Sequence, residues 1–210
     1  EDNEKMSKSR GNVVNPDDVI ARHGADAFRL YEMFMGPLAA VKPWNTRSIE
    51  GVDRFLNRVW RLIAGADGVR APVQELPVEG EFKRLVHATI QSVTEDLEGL
   101  RFNTAISSLM VLLNVLEDVR PLPRAAVETF ILLLSPLAPH LSEELWQRLG
   151  HPESLAYAPW PRFDPKALVQ QEILWVVQVE GKVRARMTLS AQVSEDELRQ
   201  AVLADERIKR

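Results

Sequence analysis

The chain has 210 residues, 45% of them hydrophobic and 27% charged, with a net charge of −4; that is core enough for one large globular domain or two small ones. No apolar run approaches the ~18 residues of a membrane span, and the acidic balance excludes a surface that is a nucleic-acid footprint all over. The absence of cysteine and the wide spacing of His23, His87, His140 and His151 exclude disulfides and thiolate zinc sites, so no metal site is expected and a cytoplasmic protein fits.

The chain opens on Glu1, not Met, so a processed or cut chain is expected. Residues 4–12, EKMSKSRGN, form a polar loop holding Lys5, Ser7, Lys8, Ser9 and Gly11. Two ammonium groups on long stems can reach a polyphosphate and neutralise charge on a leaving pyrophosphate, with the serine hydroxyls adding hydrogen bonds. A solvated basic loop accounts for the same residue types. Asn15-Pro16-Asp17-Asp18 starts a helix that runs to about His23, with Gly24 as its end. Helix resumes over 25–35 until Gly36-Pro37, and a loop follows to Arg47.

From Ser48 to about Ala64 the apolar residues Val52, Phe55, Leu56, Val59, Leu62 and Ile63 share one face. Arg54, Arg58 and Arg61 lie on the other, where they can hold phosphates or simply face water. Residues 65–79 read as a loop. Helices follow over about 81–98, ended by Gly99, and about 103–119. A further one covers 124–135, and Pro136 and Pro139 break it. Ser142 is expected to cap the next helix, which Gly150 closes. Together these predict an antiparallel bundle. The aspartates Asp17 and Asp18 read as helix-start charges, His140 as structural, and Trp44, Trp60, Trp146, Trp160 and Trp175 as packing residues.

After Pro165 the period changes. ILWVVQV (173–179), a turn at Glu180-Gly181-Lys182 and the alternating VRARMTL (183–189) predict a β-hairpin. Val183, Ala185, Met187 and Leu189 are expected inward, and Arg184, Arg186 and Thr188 outward. Ser194 with Glu197 opens a last helix as a capping box. Two strands and a helix make a poor complete domain, so this part is expected to be truncated. The expected domains are 1–47, 48–165 and 166–210.

The string KMSKS (5–9), continued by RGNVVNPDDVIARHGADAFRL, resembles the second signature of class I aminoacyl-tRNA synthetases, and PHLSEELW (139–146) resembles a bundle motif of their leucine, isoleucine, valine and methionine members. Within that family GVDRFLNRVWRLI (51–63), RFNTAISSLMVLLNVL (101–116) and VVQVEGKVRARMTL (176–189) are most similar to leucyl-tRNA synthetases. The resemblance implies a mainly α fold: the loop and its connecting helices, a tRNA-binding bundle of the anticodon-binding-domain type, and the start of a small α/β domain. It implies an enzyme, a monomer with no membrane contact, that activates leucine with ATP and Mg2+ and charges tRNA(Leu). Lys8 would contact the triphosphate, supported by Lys5, Ser7 and Ser9, with Met6 a packing residue. Arg54, Arg58 and Arg61, and more weakly Lys182, Arg184 and Arg186, would contact tRNA. The HIGH-type half of such a site is absent from the sequence, so the chain is expected to be inactive alone. Two other readings stay open: an isoleucine, valine or methionine sibling, and a non-catalytic helical module that binds tRNA or protein. A purely structural scaffold would leave the Lys5–Ser9 loop without a purpose.

Overall fold

The computed structural model describes residues 4–37, 39–65, 73–169, 172–179, 181–190 and 193–205; of the expected loop 65–79, residues 66–72 lie outside these, as does Glu180 of the expected turn. The architecture is mainly helical, and the chain divides into two compact units, residues 1–164 and 165–210.

In the first unit, α1 (Pro16–His23) begins where the Asn15 side chain accepts the Asp17 N–H at 3.2 Å, with Asp17 and Asp18 in the first turn. Gly24, at φ 84°, takes the left-handed conformation that lets the chain restart at once as α2 (Ala25–Phe34). The long amphipathic helix α3 (Thr46–Ala64) starts two residues before its expected position, because Asn45 caps it by accepting the Arg47 N–H at 3.0 Å. Asn45 is itself fixed, its own N–H donating to the Tyr31 hydroxyl at 2.9 Å.

A helical hairpin follows, α4 (Gly80–Glu98) and α5 (Phe102–Asp118). Gly99 matters at that turn for space rather than for its φ of −83°: a Cβ there would lie 2.2 Å from the Arg101 guanidinium, which folds back onto Asp96. The left-handed residue is Leu100, at φ 56°. Helix α5 is the centre of the bundle. Its Ala105, Ile106, Leu109, Leu112, Leu113 and Leu116 are fully buried among α2, α3, α4 and α6.

Next comes α6 (Arg124–Leu134), which is apolar nearly all round, and then α7 (Pro139–Arg148). Two two-residue strands, β1 (Val73–Gln74) and β2 (Leu122–Pro123), pair in parallel beside α6. One continuous core joins α1 through α7. The tryptophans at 44, 60 and 160 pack against its edge and Trp146 is buried in it. The connecting segment after α7 lies back on α4, where the Trp160 Nε1–H donates to Thr94 Oγ1 at 2.9 Å and the Asp164 N–H to His87 Nδ1 at 3.0 Å.

The expected cap of α7 is corrected. Ser142 sits inside the helix, fully buried, because Pro139 already occupies the first helical position. The cap comes from α2 instead. Asp26 accepts the Leu141 N–H at 2.7 Å, the His140 N–H at 3.4 Å and the His140 ring Nδ1 at 2.8 Å.

In the second unit, β3 (Glu172–Val179) and β4 (Lys182–Ser190) form an antiparallel hairpin, followed by α8 (Glu195–Ala204) behind a complete Ser194–Glu197 capping box. The alternation along β4 is interrupted. Val177 pairs with Ala185 but Gln178 pairs with Val183, so Arg184 is an extra residue in β4. The inward placement expected for Val183 is therefore corrected: it stands opposite Gln178 on the outer face and is 50% exposed, whereas Ala185 is 3% exposed.

Candidate phosphate loop and arginine face

The loop ahead of α1 is shaped by short polar contacts. Lys8–Arg10 makes one 3-10 turn, closed by Gly11 at φ 66°. The Asn12 side chain staples it: its Oδ1 accepts the Ser7 N–H at 2.8 Å and its Nδ2 donates to Lys5 O at 3.4 Å. The Ser7 and Ser9 hydroxyls lie 3.2 Å apart, and Arg10 pairs with Glu4 at 2.9 Å. Lys5 and Lys8 are exposed and have no ion-pair partner among the described residues. Two ammonium groups and two hydroxyls thus share one small turn whose acidic member is already taken by Arg10. This can receive an anion with several oxygens.

Met6, half-exposed, lines an open cleft of about 430 Å³ together with Glu32, Met33, Met35, Lys42 and Trp44. Burial raises the Glu32 carboxyl above its ordinary range, with Lys42 opposing the shift. Trp44 packs edge-on to Tyr31 and Phe28, at ring centroid distances of 5.0 and 6.2 Å.

The three arginines of α3 do not behave alike. Arg54 and Arg61 are exposed, and Arg61 donates to Asn57 O on its own helix, at 3.3 Å. Arg58 leans across to α5. Its Nε donates to Glu117 Oε1 at 3.0 Å, and its Nη2 donates both to Glu117 Oε2 and, at 2.6 Å, to Asn114 Oδ1. This hydrogen bond holds the Glu117 carboxyl below its ordinary range, against the upward push of burial, and the charges of Arg58, Arg61 and Arg120 act in the same direction.

The cations of β4 are less organised. Lys182, Arg184 and Arg186 are all exposed, but Lys182 is paired with Val179 and Arg186 with Val176, which places the two on opposite faces, and Arg184 is the extra residue between them. Among the described residues no group of three or more His, Asp or Glu could hold a metal ion. Nor is any helix there long and apolar enough to cross a membrane.

Sequence reasoning misses four site-shaping residues: Asn12 and Asn45, whose side-chain partners lie two to seven residues away, and Asp26 and Glu117. Asn12 and Asn45 were readable only as polar residues flanking a turn or a helix start. Asp26 and Glu117 act on partners more than 50 residues away in sequence.

Residues 80–199 match the family described as the anticodon-binding domain of tRNA ligase, and residues 1–42 match tRNA synthetases class I (I, L, M and V). Among solved structures, the chain is similar to one from Agrobacterium radiobacter, described as a ternary complex of LeuRS, tRNA and LeuAMS. The two are 31% identical with a TM-score of 0.79, over 99% of this chain and 28% of that one. The chain therefore spans less than a third of the length of that relative.

Proposed function

The chain belongs to the anticodon-binding-domain family of tRNA ligases, with a class I synthetase segment ahead of that domain, and from that premise we propose that it is part of a leucine–tRNA ligase. The enzyme, a cytoplasmic monomer on this reading, joins leucine to ATP with release of pyrophosphate and then esterifies tRNA(Leu). The observation that carries the reading is the loop at residues 5–12, where Lys5 and Lys8 have no ion-pair partner among the described residues, on a turn braced by Asn12. A module that only bound RNA would have no use for it. Leucine is chosen over isoleucine, valine or methionine because the LeuRS relative aligns over 99% of the chain.

The residues divide the work. ATP enters as its Mg2+ complex, a substrate and not a resident cofactor. Lys8 meets the phosphate oxygens where negative charge builds as pyrophosphate leaves, and Lys5 adds a second cation to the same turn. Ser7 and Ser9 donate hydrogen bonds to the remaining oxygens. Because the turn is already formed, little ordering remains to be done at the moment of reaction. On the bundle, Arg54, Arg58 and Arg61 hold tRNA phosphates, and Lys182, Arg184 and Arg186 add weaker contacts from the hairpin.

The test is amino-acid-dependent ATP–pyrophosphate exchange by the intact parent protein. Exchange is expected with leucine and not with isoleucine, valine or methionine, and none from residues 1–210 alone. Lys8→Ala should slow exchange about 100- to 1,000-fold, by analogy with removing one preorganised donor, while leaving the leucine dissociation constant within about threefold. Unchanged exchange in that variant overturns the assignment of Lys8. Exchange with a sibling amino acid instead of leucine moves the enzyme to that specificity.

A further inference from the structure

The contact between α3 and α5 contains more positive charge than its packing needs. Arg58 makes a two-pronged contact with Glu117, and Asn114 accepts from the same guanidinium. Arg61 follows Arg58 by three residues, which keeps both on one side of α3. Arg120 follows Glu117 by three residues and turns back over the end of α5, its Nη1 donating to Leu116 O at 3.1 Å and Val119 O at 2.6 Å. Arg58 is bonded to Glu117, and Arg61 and Arg120 each stand three residues from one member of that pair. Helix pairing requires one of the three guanidinium groups; the other two leave a local excess of positive charge.

A carboxylate that accepts a forked pair of N–H bonds from arginine imitates a phosphate, since both offer two oxygens in the same spacing. Glu117 is also accessible: its side chain is 34% exposed and that of Arg58 is 32% exposed. A phosphate arriving from solvent would bring more oxygens than Glu117 offers. It could satisfy the guanidinium edges of Arg61 and Arg120 that Glu117 leaves unused, and the amide nitrogen of Asn114 as well.

We propose that Arg58, Arg61 and Arg120 form one phosphate seat for structured RNA, and that Glu117 occupies this seat as a built-in competitor which the RNA backbone displaces. The proposal rests on the reading of the arginine face as an RNA surface and adds two things to it. Arg120 joins the site, and Glu117 opposes binding rather than merely bracing a helix. Its role is to weaken the RNA contact: the seat is kept filled when empty of RNA, so product tRNA leaves more readily.

The decisive experiment measures binding of a tRNA(Leu) transcript to the intact parent enzyme between 50 and 200 mM KCl, for the wild type and the variants Glu117→Gln, Arg120→Gln and Arg61→Gln. Glu117→Gln is expected to tighten binding about 3- to 10-fold and to steepen the salt dependence by about 0.7–0.9 in slope, one more phosphate contact being made in full. Arg120→Gln should weaken binding by a similar factor and flatten the slope by the same amount. It breaks no bond between helices, so it remains informative if Glu117→Gln fails to fold. Tighter binding by Glu117→Gln, or in its absence a flattened slope in Arg120→Gln, supports the proposal. If Arg61→Gln weakens binding while Glu117→Gln weakens it or leaves it alone, Glu117 is a strut; the RNA face stands and the proposal falls. If none of the three variants changes affinity or slope, the RNA face itself is wrong, and leucine-dependent pyrophosphate exchange still judges the enzyme reading separately.

Discussion

The cap that Asp26 places on α7 gives a direct test of how the first unit is held together. Its carboxylate is 10% exposed and accepts two backbone N–H groups that the start of α7 cannot satisfy internally. Replacing Asp26 by Ala removes an N-cap, at about 0.5–2 kcal/mol, and a negative charge at the positive end of a helix, at about 0.3–1 kcal/mol. It also removes the bond to the His140 ring, at about 1 kcal/mol. The total is about 3 kcal/mol, which for a unit of this size lowers the unfolding midpoint by roughly 6–12 °C. Asp26→Asn keeps one acceptor and should lose about half as much. His140→Ala should cost under about 1 kcal/mol, because its ring is 73% exposed and solvent replaces the lost partner. Thermal and urea unfolding followed by circular dichroism reads all three. The reasoning is refuted if Asp26→Ala stays within about 0.5 kcal/mol of wild type, or if His140→Ala costs as much as Asp26→Ala, since the ring contact and not the cap would then be the stabilising one.

Three further predictions concern single residues. Asn12→Ala in the intact enzyme should slow leucine-dependent pyrophosphate exchange about tenfold, the loss of its two exposed bracing hydrogen bonds being worth about 1–1.5 kcal/mol together, while the unfolding midpoint stays put. His87 is pushed below its ordinary pKa first by burial and then by Lys83, and its Nδ1 accepts from the Asp164 N–H only while neutral. The unfolded chain takes up this proton near pH ~6.5 and the folded chain only at lower pH. Stability from this site is therefore complete above that value and declines as pH falls through the folded pKa; His87→Gln should remove that part of the slope in unfolding measured from pH 5 to 7.5, and a difference that grows on the alkaline side contradicts the assignment. In the hairpin, Val183→Lys should be neutral within about 0.5 kcal/mol, whereas Ala185→Lys should cost about 2–4 kcal/mol by burying a charge, read from the unfolding of the second unit.

The features visible in the sequence are those whose cause is local. The apolar face of α3, the Asn15-Pro16-Asp17 start and the Ser194–Glu197 box each depend on residues within a turn or two of one another, so periodicity and capping chemistry find them. What stayed hidden depends on distant partners. A rule that looks for Ser just inside a helix start selects Ser142, but the acceptor used lies 114 and 115 residues upstream at Asp26. Arg58 has the spacing of a solvent stripe, yet its partner is 59 residues away. Val183 fails for another reason: one extra residue in β4 reverses the parity of what precedes it, and two-residue alternation contains no sign of that. The strands Val73–Gln74 and Leu122–Pro123 are too short for any period to register. Of the candidate site, the loop lysines and serines were legible as chemistry, while Glu117 gains its meaning only from Arg58, 59 residues away, and Asn12 from a turn whose closure no periodicity reveals.

These long-range contacts also limit how the loop can move. His23, at the end of α1, has its Nδ1 2.6 Å from Asp53 Oδ2 on α3, and Asp26 on α2 caps α7. Arg29, one turn further along α2, donates to Pro136 O at 2.9 Å. Helices α1 and α2 are thus tied to both α3 and the α6–α7 corner, and moving them would break a carboxylate cap, the His23–Asp53 hydrogen bond and a helix-corner hydrogen bond together. Among the described residues before Asn15 the side-chain polar contacts are local ones, those of Asn12, Glu4 and the serine pair, each exposed and worth at most about 1 kcal/mol, while Met6 lines the cleft beside Met33, Met35 and Trp44 and Val14 packs against the core. On the proposed reading, any adjustment of the loop to a phosphate is therefore confined to residues 4–13, with Gly11 able to absorb the change in backbone angle. The arginine face, built on α3 and α5, stays fixed while it happens. On the proposed reading, an RNA phosphate on that face and a nucleotide phosphate at the loop would be referred to one rigid frame, and only small adjustments within the loop would separate binding from reaction.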